Sequence, residues 1–176
     1  MNIRINTLAD LQAYMEALAA ANGLAYYYLD SNYNIEERLE HFYNNVNKTG
    51  SQALIFSVFD TSLSLAGSSV TATIISQIMV LKKITNEATD PNALKTVRSA
   101  TWATAMKLKG SIMLDQQETW ENMVAPPGKP IDYGKWWLEI GENDAIMPES
   151  DVASSGAYGF LLDLNVSFSA NYIMFN

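Results

Sequence analysis

The stretch that decides the fold lies at residues 157–175 and reads AYGFLLDLNVSFSANYIMF. Between Tyr158 and Tyr172 large apolar residues alternate with small or polar ones, and Leu161 alone interrupts the polar side. A period of two places the two sets of side chains on opposite faces of a β-strand. We therefore predict a long terminal strand with one buried face and one face that is wet or meets a polar neighbour.

The predicted terminal strand is long for a chain of 176 residues. Fifteen residues of continuous strand span about 50 Å, whereas a compact domain of this size measures roughly 40 Å across. Either a β-bulge bends the strand, or one end projects and pairs with another subunit as an added strand. The sequence leaves both alternatives open.

The segment from Gln52 to Ile84 shows the same period-two pattern. Its first part, 52–59, is apolar on both sides, so we expect it to be covered on both faces. Residues 66–69 read AGSS, which is a turn sequence, and the alternation then resumes. The pattern predicts a long β-hairpin.

Helical spacing of apolar residues marks three further segments. Thr7 and Asp10 predict a capping box for a first helix that stops at Gly23. A second helix is predicted after Asn34, and the longest one runs from Pro91 to about Gln117.

Two short strands and a loop complete the outline. Alternation at Ile3–Ile5 predicts a leading strand, and the apolar run Tyr26–Leu29 predicts another. Prolines make the region from Val124 to Ser155 mostly loop, with Lys135–Ile140 as a candidate strand.

These elements predict one α+β domain over residues 1–176, with a mainly antiparallel sheet flanked by two to three helices. A long hairpin and a long terminal strand form most of that sheet. The predicted parts are a helical region 1–50, the hairpin and long helix 51–117, a proline- and tryptophan-containing loop region 118–156, and the terminal strand 157–176.

Composition excludes several classes of function. Nineteen acidic residues face 11 basic ones, for a net charge of −8, which argues against a protein that wraps nucleic acid phosphates. The absence of cysteine removes disulfides, thiolate metal sites and cysteine nucleophiles, and a single histidine removes most imidazole-based sites. No phosphate-binding or hydrolase motif occurs, and no stretch of about eighteen apolar residues marks a membrane span. We therefore predict a protein that is not an enzyme and needs no cofactor.

Acidic residues cluster in the loop region, at Glu139, Glu142, Asp144, Glu149 and Asp151. Clustered like charges are typical of a solvated surface. Paired carboxylates also bind metal ions or act as acid and base, and an acidic wall lets DNA slide past without sticking. The spacing does not choose among these interpretations.

Trp136 and Trp137 are adjacent on the candidate strand, so their side chains point to opposite faces. One of them is expected to enter the core. The other is exposed or meets a partner, because tryptophan is enriched at interfaces.

The order of elements resembles the small α/β subunits that form rings at the neck of tailed bacteriophages, the tail terminator and head–tail connector proteins. The resemblance is architectural and is carried by Gln52–Ile84, Pro91–Gln117 and Ala157–Phe175, without a residue signature. It implies a sheet flanked by helices, several subunits that close a ring, and DNA that passes through the hole. The extra second helix and the tryptophan-rich loop depart from that pattern.

The resemblance leads to the expectation of a structural virion protein, a ring-forming neck subunit. Its expected partners are further copies of the chain, neighbouring neck or tail proteins, and passing DNA that is not specifically bound. The residues predicted to lie at an interface or the lumen are Trp136, Trp137, Glu142, Asp144, Glu149, Asp151, Tyr172 and Phe175.

Two alternatives belong to other classes. One is a small α+β module that binds an apolar ligand or peptide between its sheet and helices, through Trp137, Tyr158 and Phe160. The other is a carboxylate-based, metal-assisted hydrolase built on the acidic loop, which lacks any accompanying catalytic group.

Overall fold

The computed structural model describes residues 3–30, 52–66, 69–84, 91–139, 147–149 and 157–170. These ranges form an α+β fold of two helices and a six-stranded sheet, as predicted. The predicted second helix after Asn34 lies outside the described residues. The elements are α1 (Leu8–Ala21), β1 (Ala25–Asp30), β2 (Ala53–Ala66), β3 (Ser69–Lys83), α2 (Pro91–Asn122), β4 (Trp136–Glu139), β5 (Met147–Glu149) and β6 (Ala157–Ser169).

The strands run in the order β1-β2-β3-β6-β4, and β5 also pairs with β6. Only the β1–β2 pair is parallel among the described strands; the other pairs are antiparallel. The predicted hairpin is β2–β3. The predicted terminal strand is β6, which lies inside the sheet with β3 on one side and β4 and β5 on the other.

β6 pairs with β3 along all 13 of its residues, from Lys83 opposite Ala157 to Thr71 opposite Ser169, without a register shift. The bulge considered for the terminal strand is therefore absent from β6. A register shift lies instead in β2, between Val58 and Asp60.

Local signals in the sequence account for α1. The Thr7 hydroxyl accepts a hydrogen bond from the Asp10 amide at 3.1 Å, and the Asp10 carboxylate accepts one from the Thr7 amide at 3.0 Å. The predicted capping box is thus confirmed. Gly23 follows the helix with a φ of +66°, a conformation that favours glycine.

The predicted leading strand at Ile3–Ile5 is wrong, because this segment has no strand structure. The Ile5 amide donates to the Gly134 carbonyl at 3.2 Å, and the Trp136 indole donates to the Ile3 carbonyl at 3.1 Å. One main-chain hydrogen bond and one side-chain hydrogen bond therefore hold the segment against the β4 region, without the repeated main-chain hydrogen bonds of a paired strand.

Both helices pack on the same face of the sheet, here called the helix face. Side chains of both helices and of the strands beneath them form one buried cluster there. Its largest members, all less than 2% exposed, are Ile5, Leu11, Met15, Leu54, Phe56, Ile78, Leu108 and Trp136.

The opposite face, here called the second face, carries a smaller buried apolar cluster of Leu29, Ala53, Ile55, Leu81 and Ala157. Burial of both sides of Ala53–Val58 confirms the expectation for that part of the hairpin, but the expectation is wrong for Phe59, which is 44% exposed just after the β1–β2 pairing ends. Leu161, the exception in the alternation of β6, is buried on the second face opposite Met79, beside this cluster.

α2 extends 32 residues, one turn beyond the predicted end. Its last turn is held by tertiary hydrogen bonds: the Trp120 indole donates to the Trp136 carbonyl at 2.9 Å, and the Thr119 hydroxyl donates to the Ile3 carbonyl at 3.1 Å. The predicted apolar stripe of α2 is buried at Val97, Thr101, Ala105, Leu108 and Ile112.

The loop region contains two strands. β4 lies within the predicted Lys135–Ile140 strand, whereas β5 was not expected. Pro148 in β5 pairs at the outer side of β6, where a strand tolerates the loss of one amide donor. Neither described helix is long and apolar enough to cross a membrane.

Gly159 and Gly110 offer a matched test of the fold. A Cβ at Gly159 would overlap the Val80 carbonyl in β3, whereas a Cβ at Gly110 in α2 would meet no atom within 4 Å. Gly159→Ala is expected to lower the free energy of unfolding by about 3 kcal/mol or more. Gly110→Ala is expected to raise it by about 0.5–1 kcal/mol, since alanine costs less entropy in a helix. Urea denaturation of both variants measures these changes; a tolerated Gly159→Ala would contradict the β3–β6 packing.

Candidate functional site

The distal half of β2, Phe59–Leu65, is exposed at every residue and is here called the hairpin end. Leu63 is 68% exposed and Leu65 is 74% exposed. The same strand is buried on both faces from Ala53 to Val58. The hairpin end therefore presents aliphatic side chains that are exposed in the described part of the chain.

The bulge in β2 marks this change. Among the described residues β1 pairs with β2 only as far as Val58, which lies opposite Asp30. The register shift follows directly, between Val58 and Asp60. Beyond the shift, Leu63 and Leu65 share the helix face with their neighbours in β3 but lie outside the buried cluster.

Hydrogen bonds at the neighbouring strand reveal where the backbone of the hairpin end points. The Ala170 amide donates to the Val70 carbonyl at 2.8 Å, so Val70 directs its polar backbone groups towards β6. In an antiparallel strand the N–H and C=O of one residue point the same way, and the direction alternates along the strand. Leu65 lies opposite Val70 and therefore directs its N–H and C=O away from β3, as do Leu63 and Thr61. Among the described residues no strand pairs with these groups, and the Thr61 amide donates instead to the Asp60 carboxylate at 2.7 Å.

The hairpin end has only part of the usual protection of an edge strand, namely one bulge and one charge. Proteins guard exposed edges with lysine, proline, bulges or very short strands. Residues 60–66 read DTSLSLA and carry one charge, at Asp60, next to the bulge. The part beyond the bulge is thus able to accept an added strand.

A second exposed apolar surface lies on α2, at Trp102, Met106, Met113 and Trp120, and is here called the helix stripe. Each of these side chains is 42–49% exposed. Spacings of four and seven residues place them on one side of the helix, beside its buried side, and Trp120 at one end also contacts β4.

The charge around the helix stripe differs from that of the whole chain. Residues 91–114 contain Lys95, Arg98, Lys107 and Lys109 and no acidic residue. This part of α2 is therefore positive in a protein whose net charge is −8.

An open groove of about 440 Å³ lies where α2 begins. It is lined by Leu94, Lys95, Arg98, Ser99 and Trp102 of α2 and by Phe160 of β6. The Nε atom of Arg98 is buried and has no hydrogen-bond partner. The groove combines aromatic surface with cationic side chains, which suits an anionic aromatic group.

A cleft between α1 and α2 contains the contact of Tyr14 with Asp115. The Tyr14 hydroxyl donates to the Asp115 carboxylate at 2.9 Å. Burial raises the pKa of Tyr14 well above its usual range, and the negative charge of Asp115 raises it further. Tyr14 therefore stays protonated and serves as a donor that ties the two helices together.

The two adjacent tryptophans separate as the sequence predicts. Trp136 is fully buried, its ring lies 5.6 Å from that of Tyr14, and it belongs to the core rather than to an interface or lumen surface. Trp137 is half-buried and contacts Trp120 of the helix stripe, with 6.1 Å between ring centroids. Lys135 completes this aromatic cluster, with Nζ 5.0 Å from the Trp120 ring.

The other predicted interface or lumen residues are not brought together in the described part of the chain. The backbone of Glu149 pairs with Gly159 in the sheet. Within the described residues no group of three His, Cys, Asp or Glu is arranged to hold a metal ion. The predicted residues outside the description are Glu142, Asp144, Asp151, Tyr172 and Phe175.

The chain matches no model of a known protein family, and a search of curated proteins finds no similar sequence. Its role must therefore be inferred from its own fold and surfaces.

The backbone directions at the hairpin end predict different tolerances to proline. Leu63→Pro removes an amide that points to the open edge, whereas Ser62→Pro removes an amide that bonds to β3. We expect Ser62→Pro to lower the free energy of unfolding by about 2 kcal/mol more than Leu63→Pro. Both positions are exposed, so urea denaturation of the pair isolates the lost hydrogen bond. Equal losses would contradict the deduced orientation.

Proposed function

We propose that this protein is a structural virion subunit that forms a ring at the neck of a tailed bacteriophage, as a tail terminator or connector, through which DNA passes. The exposed hairpin end is the observation that carries the proposal. Two exposed leucines lie on a strand edge that no other described strand pairs with, and such an edge is costly in an isolated subunit because it leaves apolar surface and main-chain groups open to unintended pairing. Burial against a neighbouring copy removes that cost.

The positions of the two apolar surfaces favour a ring. The hairpin end lies along the β2 edge, whereas the helix stripe lies on α2, which contacts β6, β3 and β4. A contact that joins different surfaces of identical subunits is head-to-tail, and such contacts close into rings when the rotation permits. A two-fold dimer would cover both surfaces only if they lay within one self-complementary patch.

The overall charge supports the passage of DNA without binding. An acidic protein repels the phosphate backbone, so DNA inside such a ring is free to move. The positive segment of α2 is the exception, and its exposed aromatic side chains suit a protein contact. We therefore place α2 at a subunit contact and acidic surface towards the lumen.

The arrangement of the sheet agrees with the resemblance stated above. The hairpin and the terminal strand lie side by side, and both described helices cover one face. The membership of the family remains a proposal, and the same holds for the assembly of the chain in virions with neck or tail proteins.

Replacement of leucines at the hairpin end tests self-assembly. We expect the unaltered chain to form one discrete oligomer in native mass spectrometry, with a ring and a central channel in electron micrographs. The variant carrying Leu63→Lys and Leu65→Lys should need at least tenfold higher concentration to assemble. Each leucine buried at a contact contributes about 1.5–3 kcal/mol, so the loss of two exceeds that threshold.

Ser62→Lys with Ser64→Lys provides the matched control. It adds the same charge to the same exposed strand but on the other face, and it removes no apolar surface. We expect this variant to assemble like the unaltered chain. A strict monomer at every concentration, or equal behaviour of the two variants, would overturn the proposal.

The groove beside Phe160 favours a second candidate function, a module that binds an apolar ligand or peptide. Phe160 was predicted for this role and lines the groove with Trp102. Tyr158 is half-buried, and Trp137 contacts Trp120 instead. Lys95 and Arg98 restrict the ligand to one that carries a negative charge as well as an apolar part.

Anilinonaphthalene sulfonate, an anionic aromatic dye, is a suitable probe of the groove. We expect Trp102→Ala and Arg98→Gln each to weaken dye binding several-fold in a fluorescence titration, because one removes stacking surface and the other a charge. Met113→Ala, on the helix stripe but outside the groove, should leave binding unchanged. A loss with Met113→Ala alone would assign the dye to the stripe and remove this candidate.

A further inference from the structure

We propose that the cleft between α1 and α2 binds a small organic cation, an amine that carries a short apolar chain. The cleft has a volume of about 350 Å³, which is large enough for a small molecule. Every residue that lines it belongs to the described part of the chain. The site is separate from the groove beside Phe160 and does not depend on the proposed ring.

One wall of the cleft consists of small apolar side chains. Ala13, Ala17 and Ala21 recur every four residues, so they lie on one side of α1, and all three line the cleft. Each of them is exposed. Ile3 and Leu18 extend the apolar lining. Because alanine fills little of the space above the helix, this wall can accommodate the aliphatic chain of a ligand.

The second helix contributes a carboxylate to the same cleft. Asp115 of α2 is half-buried and lines the cleft. Within the described residues its carboxylate accepts one hydrogen bond, from the Tyr14 hydroxyl at 2.9 Å. An ionised carboxylate offers about four acceptor positions, so a donor from a ligand can bind beside the Tyr14 hydroxyl.

The other two charged side chains of the cleft have partners of their own. The Asp10 carboxylate accepts two backbone amides at the start of α1, both at 3.0 Å. Arg4 is exposed, donates to the Val124 carbonyl at 3.2 Å, and lies 5.9 Å from the centroid of the Tyr133 ring. Asp115 is therefore the charged group with capacity for a ligand, and its negative charge selects a cation.

The combination of these two features defines the class of ligand. An ammonium group forms a charge-assisted hydrogen bond to the Asp115 carboxylate, and partial burial limits the screening of that attraction by water. An attached aliphatic chain gains free energy when it leaves water for the wall of alanines. An alcohol lacks the charge, and a cation without a chain lacks the apolar contact.

Titration with hexylamine tests the site. Hexylamine is protonated at about pH 7, as a lysine side chain is, and carries an unbranched aliphatic chain. We expect it to shift the backbone amide NMR signals of Ala13, Ala17 and Ala21 with one common dissociation constant. Hexanol, which has the chain without the charge, should bind about tenfold more weakly. Methylamine, which has the charge with almost no chain, should also bind about tenfold more weakly.

Two variants assign the binding to this cleft. Asp115→Asn keeps an oxygen that accepts the Tyr14 hydroxyl but removes the charge, so it should weaken hexylamine binding about tenfold. Ala17→Leu fills the cleft from an exposed position and should weaken it by a similar factor. Glu16→Gln is the matched control, because it removes one charge from an exposed residue of α1 that does not line the cleft.

The control should bind hexylamine like the unaltered chain. Equal losses in Asp115→Asn and Glu16→Gln would reveal a general attraction of cations to an acidic protein and overturn the site. Unchanged binding in Ala17→Leu, hexanol that binds as tightly as hexylamine, or no binding of hexylamine at all would overturn it as well.

Discussion

The antiparallel pairing of β3 with β6 is the contact on which the rest of the structure depends. It joins two halves of the sheet, since β1 and β2 attach through β3, whereas β4 and β5 attach through β6. α2 packs across both strands. Hydrogen bonds between side chains reinforce the pairing on the second face, from Thr73 to Ser167 at 2.6 Å and from Gln77 to Asp163 at 2.7 Å. Without this pairing the subunit would have no common platform for its helices.

The main elements could be predicted because their signals are local. The capping box of α1, the alternation of the hairpin and of β6, and the buried side of α2 depend on residues close in sequence. The wrong predictions concern segments whose structure depends on residues that are distant in the sequence. The last turn of α2 donates hydrogen bonds to the carbonyls of Trp136 and Ile3. The segment Ile3–Ile5 donates one to the Gly134 carbonyl but does not pair as a strand. Pro148 indicated a loop, yet an edge position lets it pair with β6.

The candidate site was less predictable than the fold. The alternation of serine and leucine at 62–65 indicated a strand, but its exposure depends on how far the neighbouring strands pair with it and on the bulge after Val58. Neither feature has a local sequence signal. The pair Trp136–Trp137 predicted one core residue and one surface residue without deciding which. The helix stripe has a regular spacing in the sequence, since Trp102, Met106, Met113 and Trp120 recur at four and seven residues, but that spacing does not by itself distinguish an exposed stripe from a buried one.

The position of β6 has a consequence for synthesis of the protein. Thr73 and Ser167, which meet at the centre of the sheet, are 94 positions apart in the chain. Contacts between such distant segments form slowly, because the loop entropy must be lost before any pairing compensates for it. A nascent chain therefore displays β2 and β3, with their apolar side chains uncovered, well before β6 leaves the ribosome. Exposed apolar side chains on such incomplete sheets favour contacts between chains, so we expect aggregation to compete with folding until β6 has been made.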